Sequence, residues 1–167
     1  MPQPLRGVEG RDVYGLPGLV GNDAIKVRQG NRMLRNAVAV IRLCLALGIP
    51  GYLENPQSSL IWRTAGMRKL IKLGCVRLVT THMCQHGAQW RKATSFLFWN
   101  FKHEVILPVC HMKKGRCSAS GKRHLLSGLS GSTFTTQQAQ IYPRTLANLL
   151  AQLVLDSGGP PTRPRTF

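Results

Sequence analysis

The segment from Asn31 to Pro56, NRMLRNAVAVIRLCLALGIPGYLENP, constrains the fold more than any other part of the chain. Met33, Leu34, Ala37, Val38, Ile41 and Leu45 recur at helical spacing, with Asn31 placed to cap the start and Gly48 to end the helix in a left-handed conformation. Arg32, Arg35 and Arg42 occupy the other faces. The next stretch, IPGYLE, reads as a short buried strand. Asn55-Pro56 must stop it, because the residue before a proline avoids helical geometry and proline has no N–H to give a ladder. A helix that passes its chain directly to a buried strand belongs to an α/β architecture.

The pattern continues in that sense. Ser58 or Ser59 caps a second helix running to about Leu73, with Gly74 closing it. CVRLVTTHM reads as a strand rich in β-branched residues, CQHGAQWRKA as a polar turn, and TSFLFWN as a returning strand. Strand, helix, strand at this spacing predicts a right-handed parallel crossover, and the short link after it predicts an antiparallel hairpin. Residues 102–133 form a basic, glycine-containing loop or insertion. A final helix is expected from about Thr136 to Leu155, with Leu146, Leu149, Leu150, Leu153 and Val154 as its apolar stripe and Pro143 as a break or the true start. Residues 1–29, rich in Gly, Pro and charge, read as a loop or arm, residues 30–156 as one α/β domain, and residues 157–167 as a disordered tail.

The chain carries 23 basic and 6 acidic residues, a formal charge of +17. Charge of this size favours encounter with polyanions. Nucleic acid is the expected partner, DNA ahead of RNA. Arg63, Arg68, Lys69, Lys92, Lys113, Lys114, Lys122 and Arg123 are the candidate phosphate contacts, and Trp90, Trp99 and Tyr142 could stack on bases. No apolar run approaches the roughly 20 residues of a membrane span, and the N-terminus lacks the apolar centre of a secretory signal. An intracellular protein, nuclear or cytoplasmic, is expected. The five cysteines are odd in number and expected to be reduced. Cys110, Cys117 and His124, with Cys84, His82, His86 and His111 as completions, are ligand types for zinc. Their spacings match no common finger, so buried thiols and no metal are the expectation.

Glu54 is the only carboxylate between Asp23 and Glu104. It is either a structural acid paired with an arginine or a strand-end group that touches a ligand. Ligands of open α/β sheets bind beyond the carboxyl ends of the strands, and CQHGAQWRK would lie on the same rim as Glu54.

In order along the chain, LENP, CQHGAQWRKAT and AQIYPRTLANLLAQL resemble the C-terminal part of cytosine-C5 DNA methyltransferases of the compact phage-like and mobile-element-like kind. The resemblance covers about residues 25–155. It implies a partial class I methyltransferase sheet, Rossmann-like, lacking its first strands and ending in a β-hairpin and a C-terminal helix. Carried over, Glu54, Asn55 and Pro56 would hold the flipped cytosine and protonate its ring. Gln85 and Arg91, with Lys92 beside them, would support the base and nucleophile, and Pro143 with its helix would pack back on the cofactor domain. S-adenosylmethionine is the implied cofactor. The family's glycine-rich cofactor loop and catalytic Pro-Cys are not found, since none of the five cysteines follows a proline. The expectation is therefore a truncated cytosine-5 methyltransferase-like protein, inactive alone, with a second chain as a candidate to complete the fold. A non-catalytic basic nucleic-acid-binding protein is the alternative, and a truncated reading frame with an exposed sheet edge is a third.

Overall fold

The computed structural model describes residues 4–125, 129–130, 133–134 and 141–157. Helix α1 spans Gly21–Ala46 and leads into strand β1, Gly51–Pro56. A 3-10 turn, Leu60–Arg63, and the short helix α2, Ala65–Ile71, carry the chain to β2, Val76–His82. A second 3-10 turn, Met83–His86, precedes β3, Ala93–Trp99. After the loop of residues 100–125 come the paired two-residue strands β4, Leu129–Ser130, and β5, Thr133–Phe134, and finally helix α3, Arg144–Ser157.

Helix α1 begins well before Asn31, which corrects the reading of residues 1–29 as a loop or arm. Asn31 does not cap the helix. Its side chain lies within it, accepting from Arg6 Nη1 at 2.8 Å and donating to the Tyr14 carbonyl at 2.6 Å. Arg6 also donates to the carbonyls of Val13 (2.7 Å) and Val27 (3.2 Å). The segment before α1 is thus pinned onto the helix, with Val13 buried. The other end follows the expectation. Gly48 adopts φ 69°, and the amides of Gly48 and Ile49 donate to the carbonyls of Leu45 (3.3 Å) and Cys44 (2.9 Å). This paired closure satisfies carbonyls that the helix end would otherwise leave open.

The main sheet has the order β1-β3-β2, with both outer strands antiparallel to β3. β1 and β2 therefore run the same way, as a crossover through α2 requires, but β3 lies between them. The expected parallel pair is corrected in this respect: its strands share a direction and no hydrogen bonds. The β2–β3 hairpin forms as expected. Helix α2 is shorter than predicted, because buried Thr64 takes an extended conformation and splits the segment into a 3-10 turn and a helix.

Side chains alternate across β3 and separate two cores. Leu97 and Trp99 pack with Ile41 and Leu45 of α1 and with Trp62, Met67 and Leu70. Phe96 and Phe98 point the other way and pack with Leu146 and Leu150 of α3 and with Met83, Val105 and Leu107. Trp99 is a core residue and unavailable for base stacking. Met33, expected on the apolar face of α1, is instead 71% exposed. Pro143 marks the start of α3, and its carbonyl accepts from the Ala147 amide at 3.1 Å. Residues 136–140 of the expected helix, and 158–167 of the expected tail, lie outside the described residues. Among the described residues, no helix is long and apolar enough to cross a membrane.

Asn100 closes the first core. At φ 56° it donates from Nδ2 to the carbonyls of Cys44 (3.0 Å) and Ile49 (3.1 Å), tying the end of β3 to the end of α1. Asn100→Ala should cost about 2 kcal/mol, from two lost hydrogen bonds and a left-handed backbone that alanine resists. Asn100→Gly should cost less, because glycine adopts that conformation freely. Urea denaturation midpoints of the two variants check the order; equal losses would mean that the backbone strain is not felt.

Candidate functional site

Glu54 stands on the β1 face that looks toward α3, opposite Phe96 in register. Its neighbour on that face is Tyr142, immediately before Pro143. The Tyr142 phenol interacts with the Glu54 carboxylate: burial, reinforced by that carboxylate and by Tyr52, pushes the phenol well above its ordinary range. Tyr142 therefore stays a neutral donor. Its ring lies 6.0 Å from Lys92 Nζ. Tyr142 also lines two hollows. One, of 530 Å3, lies between the turn after β2 and the start of α3, with Trp90, Gln89 and Arg144 in its wall. The other, of 690 Å3, is apolar and runs between β1 and α3 past Tyr52, Phe96 and Leu150. The indole N–H of Trp90 is buried and finds no acceptor among the described residues.

The neighbours of Glu54 in sequence are structural. Asn55 donates to the Glu54 carbonyl and accepts from Ser59 Oγ at 3.3 Å, and the Pro56 carbonyl accepts from Trp62 Nε1 at 2.9 Å. These bonds shape the exit from β1. Gln85 lies on the Met83–His86 turn, with its amide directed at Cys84 Sγ, Cys117 Sγ and Ser118 Oγ. Arg91 is exposed and close enough to His82 to act on its charge. Lys92 is thus the member of the predicted second segment that stands beside Tyr142. Arg63, Arg68 and Lys69 belong to the 60–71 segment on the α1 side, and Arg63 donates to the Val8 carbonyl at 3.1 Å. Lys113, Lys114, Lys122 and Arg123 are exposed on the loop after β3, joined there by Arg116.

A second assembly was only partly foreseen. Cys84, Cys110, Cys117 and His124 converge, with their ligand atoms all within 4.8 Å of one another. Cys110 Sγ lies 3.9 Å from Cys117 Sγ and 3.8 Å from His124 Nε2. The three cysteines are free thiols and buried, in line with the expectation, and the geometry adds that they stand together with His124. Burial, with the other two cysteines, pushes the Cys84 thiol up to about 12. Burial also opposes ionisation of Cys117, but the Ser120 and Ala119 amides, the Ser120 hydroxyl and His124 outweigh it and bring that thiol down to about 5. The remaining histidines fill other roles. His82 Nδ1 accepts the Cys110 amide at 2.7 Å, and burial, with Arg91, His111 and His124, disfavours its charged form. Thr81 Oγ1 donates to the Pro108 carbonyl at 2.7 Å, so its 2.8 Å contact with His86 Nε2 must be donated by the histidine. Burial likewise holds His86 neutral.

Two participants escaped the sequence reading. Tyr142 as the partner of Glu54 had no local signal, because the pair is brought together only by α3 docking on the sheet. Cys84 as a full member of the thiol cluster was hidden by β3, which intervenes between it and Cys110. Comparison with protein-family models, with curated proteins and with solved structures gives no match for this chain.

Proposed function

We propose that this chain is the base- and backbone-contacting part of a cytosine-C5 methyltransferase-like, DNA-binding protein. The observation that carries the reading is the partner of Glu54. Among the described residues the acid meets the neutral phenol of Tyr142, which itself lines two hollows, and no arginine. A carboxylate that is not committed to a cation keeps acceptor positions open for a ligand, which contact with the polar edge of an extruded cytosine requires. On this reading Glu54 contacts the extruded base and Tyr142 fixes its orientation, with Trp90 and Lys92 at the rim. Extrusion itself costs a few kcal/mol, which contacts to the flanking phosphates help to offset.

The layering supports the same reading. Helices α1 and α2 cover one face of the antiparallel sheet and α3 the other, and its two outer strands run alike through a helical crossover. Helices on both faces of a sheet are the layering that the resemblance implies, although the strand pairing here is antiparallel. The implied S-adenosylmethionine fits less well. Such cofactors rest on a glycine-rich turn between a strand and a helix, and α1 is preceded by a 3-10 turn, Asp12–Tyr14, with no strand before it among the described residues. On this reading the 167 residues supply contact with DNA, and another segment or chain supplies cofactor and thiolate.

A duplex carrying the fluorescent cytosine analogue pyrrolocytosine tests it. Binding should brighten the analogue as it leaves the stack. Glu54→Ala and Tyr142→Phe should each suppress the rise while leaving affinity for the duplex within a few-fold. If analogues of cytosine and thymine respond alike, and the variants change nothing, the protein binds nucleic acid through charge alone.

A further inference from the structure

We propose that Cys84, Cys110, Cys117 and His124 form a structural zinc site that rivets the basic loop to the end of β2. The inference stands independently of the base-contact reading, since none of the four residues touches Glu54 or Tyr142 in the geometry above.

Distances come first. Zinc binds thiolate at about 2.3 Å and imidazole at about 2.0–2.1 Å in a tetrahedron, so donor atoms sharing one ion stand roughly 3.5–3.8 Å apart. The Cys110–Cys117 and Cys110–His124 separations, 3.9 and 3.8 Å, are edges of that size, and no pair in the set exceeds 4.8 Å. The set is too tight for a multi-iron cluster, in which the terminal ligands bind different metal atoms. It is also too open for a disulfide, which needs sulfurs about 2.05 Å apart and would leave a thiol and an imidazole unused. Three buried cysteines and a half-buried histidine complete four positions, leaving none for a substrate. The site is closed, and its role is structural.

The surroundings fit a charged centre. Zinc would bind three thiolates, any remaining thiol protons passing to solvent, and the imidazole through Nε2, giving three thiolates, one neutral histidine and a formal charge of −1. Donors already point at the sulfurs: Gln85 Nε2 at Cys84 and Cys117, and the Ala119 and Ser120 amides at Cys117. Such outer contacts orient ligands and tune affinity.

The backbone between the ligands is a compact hairpin. Lys113 and Arg116 exchange amide–carbonyl bonds of 3.1 and 3.0 Å across Lys114 and Gly115, whose φ values of 49° and 72° make the turn type that hairpins prefer. Cys117 N–H then donates to the Lys122 carbonyl at 2.8 Å, and Gly121 N–H to the Cys117 carbonyl at 2.9 Å. Lys113, Lys114, Arg116, Lys122 and Arg123 are all held on this small scaffold. It contributes few apolar side chains to either large core, so the metal supplies the ordering that packing does not.

The full chain, purified without chelator, should carry one equivalent of zinc by elemental analysis. After removal of zinc, cobalt(II) should give the intense ligand-field and thiolate charge-transfer absorption of a tetrahedral, sulfur-rich site. Cys117→Ser and His124→Ala should lose that spectrum, whereas Cys44→Ser and Cys75→Ser, outside the cluster, should keep it. Gln85→Ala should still bind, about 10–100-fold more weakly. A pale octahedral cobalt spectrum in the wild-type chain, a disulfide found by thiol counting, or full zinc retention in Cys117→Ser would each overturn the proposal. Should Cys117→Ser fail to fold, the wild-type cobalt spectrum and the Gln85→Ala affinity decide the matter.

Discussion

Raising salt from roughly 50 to 200 mM should weaken binding to duplex DNA by about 500-fold if the five cations between Lys113 and Arg123 each neutralise one phosphate, since log affinity falls by about 0.9 per contact for each decade of salt. The estimate is a lower bound if Arg63, Arg68, Lys69 or Lys92 also reach the backbone. The double variant Lys122→Gln/Arg123→Gln should reduce the slope of log affinity against log salt by about 2 and weaken binding to all sequences alike. Fluorescence anisotropy at four or five salt concentrations measures both. A slope unchanged by the double variant would remove the loop from the interface, and a flat salt dependence would remove the polyanion as partner.

The second large effect concerns Phe96, at the centre of β3 and wholly buried. Its ring stacks on Phe98 at 5.8 Å, meets Tyr52 edge-on at the same separation, and belongs to the cluster that receives Leu146 and Leu150 of α3. Phe96→Ala should cost about 3–5 kcal/mol, the range for deleting a buried aromatic side chain from a packed core. Chemical denaturation measures the loss, which is a large part of the stability of an ordinary domain. Phe96→Leu, which keeps most of the volume, should cost markedly less. If both variants lose alike, the ring's contacts with Phe98 and Tyr52, rather than its volume, govern this core.

How much of this could be read from residues alone depended on how local each signal was. The second half of α1, Gly48, β1, and the hairpin of β2 and β3 declare themselves through periodicity and turn chemistry within a few residues, and all are present. The first turns of α1 do not, because Gly21 and Gly30 lie in them and the helix there is secured by Arg6 from outside. Strand direction was legible and strand neighbours were not: nothing local says that β3 lies between β1 and β2. The same limit governed the sites. Glu54 was conspicuous as a solitary acid, but its phenol partner arrives from α3. The cysteines after β3 were visible as ligand types, yet the set becomes coherent only when β2 delivers Cys84 beside them. Spacing rules recognise ligand sets folded from one short segment, and this cluster is assembled across a strand.

The four residues Met83–His86 have a bearing on how events in one half of the molecule reach the other. Cys84 faces the thiol cluster, Met83 sits in the aromatic core beneath α3, and the His86 carbonyl accepts the Thr145 hydroxyl in the first turn of α3 at 2.6 Å. Oxidation or chelation at the sulfurs would therefore pull on the same short piece of backbone that seats Tyr142 and its helix. Redox conditions and metal supply would then be felt at the acid on β1 without any ligand reaching it.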